Sequence, residues 1–172
     1  MASVFGHGIV AITISKVFNS KNGKWLLILA ICSAIIPDID VLAFEFGIPY
    51  SHPLGHRGFT HSILLAIIWA FCMAFNIGRK SKSVWFFVIF LSTISHGILD
   101  AMTSGGRGVG FFIPFNNERL FLPFRKIVVS PIRIHEFFSE WGLQVILSEI
   151  KYVLVPCGII LLVTLILRKL YK

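Results

Sequence analysis

Two histidines and an arginine crowd into His56-Arg57-Gly58-Phe59-Thr60-His61-Ser62, immediately before an apolar run. Upstream, Pro37-Asp38-Ile39-Asp40 sets two carboxylates at the end of another apolar run. Downstream, His96 and Asp100 lie four apart at the end of a third, and His7 stands near the start of the first. Imidazole and carboxylate are hard-to-borderline metal ligands, and i, i+4 spacing puts two of them on one helical face. Together they read as a membrane-embedded metal site. Such a donor set suits Zn²⁺, with Mn²⁺ or Fe²⁺ as alternatives. The ion would lower the pKa of water and polarise a phosphoryl oxygen, and a second ion would bridge nucleophile and leaving group.

The expected inner ligands are His61, His96, Asp100 and Asp40. His7 and Asp38 serve as ligands of a second ion or as orienting partners, since a carboxylate commonly holds a ligating imidazole in the right tautomer. His56 is expected as ligand or general acid. Arg57 would clamp a phosphate through its planar fork, with Arg107 or Arg133 as reserves. The candidate catalytic groups are therefore His56, Arg57 and Asp38. Each piece alone has a plainer reading: a helix end for His96 and Asp100, turn chemistry for the Pro-Asp pair, a snorkelling cation for Arg57. His52 carries a smaller expectation. His135 and Glu136 fit the polar face of an interfacial helix. Thr103 to Gly108 is glycine-rich but lacks the Gly-Lys-Ser/Thr ending of a phosphate loop, so a turn is the simpler reading.

The elements that must position these residues are apolar. Of 172 residues, 56% are hydrophobic and only 14% charged, with a mean hydropathy of +0.83. Soluble domains carry about a quarter charged residues, so this is the composition of an integral membrane protein. The length fits a single domain, 1–172. Cys32, Cys72 and Cys157 are isolated in apolar stretches, without the paired spacing of a zinc ribbon or a disulfide framework. No cleavable signal is evident. Apolar helices are expected over 3–18, 25–36, 63–77 with Thr60 or Ser62 as cap, 84–99 and 152–167. The run 25–36 falls short of the ~20 residues a span needs, so it either extends through the Pro-Asp segment or enters as a half-helix. Residues 130–142 read as an amphipathic interfacial helix with Ser130 as cap and Pro131 at its first position. The fold class is all-α: an integral membrane bundle of about four to five membrane helices plus interfacial segments.

Nine of the 16 lysines and arginines sit in three short segments: Lys16, Lys21 and Lys24; Arg79, Lys80 and Lys82; Arg168, Lys169 and Lys172. Alternating helices place these on one side, the cytoplasm by the positive-inside tendency. The same alternation puts His7, Asp38, Asp40, His61, His96 and Asp100 together at the opposite, extracytoplasmic face. Ionisable groups at membrane depth are costly and usually paired, so their convergence points to function.

The combination of His7, Pro37–Asp40, His56–Ser62, Ser95–Asp100 and Thr103 followed by Gly105 resembles the YdjM-like family of bacterial inner-membrane, LexA-regulated proteins grouped as metal-dependent hydrolases. The resemblance runs from His7 to Pro114-Phe115. It implies a distant likeness to zinc-dependent phospholipases C and single-strand nucleases, which are all-helical enzymes with clustered zinc. On that likeness His96 and Asp100 match a helical His/Asp ligand pair, His61 an upstream His ligand, and Asp40 or Asp38 its Asp. Those soluble enzymes also use an amino-terminal Trp, whereas no Trp precedes Trp25 here.

The function expected from all this is a multi-pass inner-membrane, metal-dependent hydrolase of phosphoesters, with a phospholipid or similar amphipathic molecule reaching the site from the bilayer. The alternatives are a small proton- or metal-ion transporter using the same residues, and a non-catalytic scaffold with a structural metal. No nucleic-acid partner is expected, because the basic residues are split between loops.

Overall fold

A computed structural model describes residues 1–18, 23–78 and 81–171, Ile134 by its backbone alone. Lys21, Arg79, Lys80 and Lys172, used above to orient the chain, lie outside the described residues. The architecture is all-helical. Helix α1 spans Val4–Phe18 and α2 spans Gly23–Ile35; α3 covers Ile63–Asn76 and α4 Lys82–Ala101. After a long irregular connection come α5 (Ile134–Phe137), α6 (Glu140–Glu149) and α7 (Val155–Leu170).

Three helical stretches are long and apolar enough to cross a membrane: Gly23–Phe44, Lys82–Ala101 and Glu140–Leu170, of 22, 20 and 31 residues. The apolar helices α1 and α3 are shorter, at 15 and 14 residues. The first long stretch settles how residues 25–36 continue. Proline lacks an N–H and clashes with the preceding turn of an α-helix. At Pro37 the backbone therefore tightens into a 3-10 helix, Ile36–Phe44, and carries on through both aspartates.

The carboxyl-terminal region departs from the expected pattern. Ser130 does not cap a helix. It is buried in extended chain, and its N–H donates to the carbonyl of Met1 at 2.8 Å. Ser139 caps instead, its Oγ accepting from the N–H of Trp141. Helix α6 then runs through a π-helical turn, Ile150–Leu154, directly into α7. The expected interfacial helix over 130–142 is thus broken into α5 and the first turn of α6, and the last span begins at Glu140, well before 152. Ser139, directly before the first residue of α6, is placed to cap it, while Ser130 is claimed by its contact with Met1.

Helix α4 is central, packing on α1, α2 and α3, while α7 lies along α1. Alanines make the close contacts. Ala30 and Ala34 of α2 and Ala66, Ala70 and Ala74 of α3 are fully buried or nearly so. These small residues at four-residue spacing let backbones approach, which is how helices associate where no hydrophobic drive separates protein from lipid. Leu26, Trp85, Val88 and Ile89 complete that core. At one end of the bundle, the connection between α4 and α5 folds back through two isolated bridges, Thr103 with Ile127 and Val109 with Leu120.

Candidate metal centre

The first turns of the 3-10 extension of α2, the loop before α3 and the end of α4 meet beneath that folded-back connection. His96, in α4, lies with Nδ1 2.7 Å from the carbonyl oxygen of Ala34. That contact makes Nδ1 the N–H donor and turns Nε2 inward, 3.3 Å from Asp38 Oδ1. One helical turn later Asp100 joins it. His61 closes a short 3-10 turn, Phe59–His61, and its Nε2 stands 3.9 Å from Asp38 Oδ1 and 3.7 Å from Asp100 Oδ2. One donor atom from each of Asp38, His61, His96 and Asp100 lies within 4.8 Å of the others. His7 of α1 stacks on His96 with centroids 3.8 Å apart, and its Nε2 is 3.5 Å from Asp100 Oδ1.

These atoms are buried, and most are orphans. Among the described residues, both Asp38 oxygens, His61 Nε2, His96 Nε2 and both His7 nitrogens have no hydrogen-bond partner, and Asp100 Oδ2 is faced by the Arg57 guanidinium, with Nε at 2.8 Å. Buried polar groups are nearly always paired, and a buried carboxylate without compensation costs several kcal/mol. Separations of 3.3 to 3.9 Å are too long for hydrogen bonds. Two imidazole nitrogens and two carboxylates converging are a donor set a divalent ion fits, binding in place of any proton. The electrostatics agree. Burial disfavours the imidazolium of His61, yet the carboxylates of Asp100 and Asp40 beside it outweigh burial and raise its pKa to about 9. The pocket favours a positive charge.

The two aspartates of the Pro-Asp segment hold different positions. Asp40 spends its oxygens on the next loop. It sits 2.6 Å from His56 Nδ1, accepts from the Arg57 N–H at 3.0 Å and from Thr60 Oγ1, and lies 3.2 Å from His61 Nδ1. Asp40, His56 and His61 also come within 4.8 Å of one another, but their facing atoms already partner each other. Asp38 therefore faces the orphaned nitrogens, while Asp40 orients His61 and His56.

Arg57 is almost fully buried and adopts a left-handed backbone, φ 62°, rare for a residue with a side chain and commonest at functional sites. Its Nε is 2.8 Å from Asp100 Oδ2, and its two terminal nitrogens donate to Gly105 O at 3.1 Å and Thr103 Oγ1 at 3.2 Å. The glycine-rich loop thus meets a cation with the Gly105 carbonyl and the Thr103 hydroxyl. Gly106, at φ +88°, has to be glycine: a Cβ there would come within 2.5 Å of Arg57 Nη1. Arg119 fastens the other loop, donating to the carbonyls of His56, Tyr50 and His52.

A cavity of about 340 Å³ adjoins the cluster, lined among others by Tyr50, His56, Arg57, Ile132, Arg133 and Trp141. Arg133 and Glu136 line it too, whereas Arg107 lies over the ring of Tyr50. His52 is on the surface, accepting from the Leu54 N–H, and His135 is exposed beside Glu136. Sequence reasoning missed Tyr50, Trp141 and the backbone N–H of Ala2, which donates to Asp100 Oδ1 at 2.7 Å. Tyr50 stands within the singled-out loop and could have been found there. Nothing in the pattern marks the other two.

The family model described as YdjM inner membrane protein matches residues 1–171. The inner membrane protein YbcI of Escherichia coli (strain K12) is 38% identical over 162 residues, covering 91% of this chain and 92% of the relative. No solved structure matches the chain.

Proposed function

The chain belongs to the YdjM inner membrane protein family, and from that premise we propose that it is a membrane-bound, metal-dependent hydrolase of phosphoesters. One observation supports the reading: buried donor atoms of Asp38, His61, His96 and Asp100 converge, those of Asp38, His61 and His96 without hydrogen-bond partners, beside a cavity lined by Arg57 and Arg133. These four would hold the ion, most suitably zinc, and His7 is the adjacent fifth donor. A divalent ion supplies Lewis acidity to such a site and makes water a usable nucleophile at neutral pH.

The chain's own residues account for the rest. Asp40 holds His56 by Nδ1, which leaves Nε2 as the nitrogen able to give a proton to a departing alkoxide. Arg57, fixed by Thr103 and Gly105, stands between cluster and cavity as the counter-charge for a phosphate. Asp40 binds the His56 ring, the Arg57 backbone and His61 at once, so one carboxylate aligns all three. The site is proposed to face the extracytoplasmic side, opposite the basic segments.

Elemental mass spectrometry of detergent-purified protein tests this, with wild type beside His96→Ala/Asp100→Ala. The expected result is near-stoichiometric zinc, manganese or iron in wild type and none in the variant, with phosphoester hydrolysis lost alongside it. A folded wild type that takes up no ion after soaking would sink the proposal. Ion without turnover of any phosphoester would leave a structural metal.

A further inference from the structure

We infer that the substrate is an anionic amphipathic phosphoester whose acyl chain lies in a crevice between α1 and the long carboxyl-terminal helix, its head in the cavity beside Arg57. This rests on the hydrolase reading above and names the substrate class for it. Three hollows follow one another, each neighbouring pair sharing lining residues. The cavity beside the cluster shares Met1, Ser130, Pro131 and Ile132 with a second of about 320 Å³, which adds Phe5 and Phe137. Phe5 in turn borders a third, of about 260 Å³, walled by Ile9, Ile146, Ile150 and Leu154.

Polarity falls along that path. The first hollow carries Arg57, Arg133 and Glu136. The last has one charged group, Glu149, and both of its oxygens accept from Ser3, one from N–H and one from Oγ, at 2.5 Å each. What remains exposed to an occupant is hydrocarbon. From Ile146 to Leu154 the wall follows the helix for roughly 12 Å at ~1.5 Å per residue, into a stretch long enough to cross a membrane. Phe5 is 67% exposed and Leu154 44%, so the crevice is open along its side. A chain could slide in from the bilayer without passing through water. Lipid tails are as apolar as leucine, so the crevice adds position more than affinity. Retention there must come from the head's charge against Arg57 and Arg133.

The test uses the non-hydrolysable phosphonate analogue of a phosphatidic acid with a diazirine on one acyl chain, photolysed with metal-loaded full-length protein in lipid nanodiscs, and labelled residues mapped by mass spectrometry. Label should concentrate on Phe5 to Ile9 and Ile146 to Leu154. It should fall by about tenfold with the matching diacylglycerol probe, the loss expected from one charge-assisted hydrogen bond. Ile146→Trp, which fills the crevice, should lower it likewise with metal content unchanged. Label spread evenly over the apolar surface, or equal for both probes, would overturn the inference. Concentrated, phosphate-dependent label without hydrolysis of any phosphoester would uphold the crevice while removing the hydrolase reading. Hydrolysis of a water-soluble phosphoester with evenly spread label would do the reverse.

Discussion

Asp38 and Asp40 are two residues apart and chemically identical, yet they meet different demands. In the tight 3-10 backbone one carboxylate faces the nitrogens of His61 and His96, and the other faces the His56–His61 loop. Asp38→Asn should abolish metal binding, because it replaces an anionic donor among orphaned nitrogens. Asp40→Asn should leave the ion bound but weaken it by about 10- to 100-fold, the usual effect of losing the group that orients a ligating imidazole. Chelator competition on the two purified variants reads the difference. The opposite ranking would return the inner-ligand role to Asp40.

At the scale of elements, the site depends on a contact made far from it in sequence. Glu149 ends α6 just before the π-helical turn, a feature found mostly as a local bulge at functional sites. Its carboxylate holds Ser3, and the same short segment donates from Ala2 to Asp100 and leads into the helix that carries His7. Gly6 leaves room for this: a Cβ there would come within 3.0 Å of the Glu149 carboxylate. Glu149→Ala strands two donors of Ser3 and should cost about 1–3 kcal/mol in stability. It should also loosen metal binding, although residue 149 touches none of the four inner ligands. Glu149→Gln, which can still accept one bond, should recover most of both. Thermal unfolding and metal titration of the two variants check this, and identical behaviour would dismiss the latch.

For the whole molecule, the proposed extracytoplasmic placement of the site sets which loops an external reagent reaches. Asn117 is exposed in the connection that folds over the cluster. With Cys32, Cys72 and Cys157 replaced by alanine, Asn117→Cys should react with a membrane-impermeant maleimide added to intact spheroplasts. Reaction only after lysis would put the site on the cytoplasmic side and reverse the orientation argued from the basic segments.

By itself the sequence determined the class of molecule, because hydrocarbon length and charge density are local properties that survive without a fold. It also determined that His7, Asp38, Asp40, His61, His96 and Asp100 gather at one end, since alternating helices fix which termini share a face. The cap of α3 was narrowed to Thr60 or Ser62, and Ser62 takes it, its Oγ accepting from Leu65 N–H. Two things needed the tertiary structure. Which aspartate faces the histidines turns on a 3-10 twist of a few residues, and side-chain direction there is set by what packs against it. The cap at Ser139, the hold of Glu149 on Ser3 and the three neighbouring hollows are contacts between segments distant in the chain. No periodicity records them, because each partner is an ordinary residue until the other arrives.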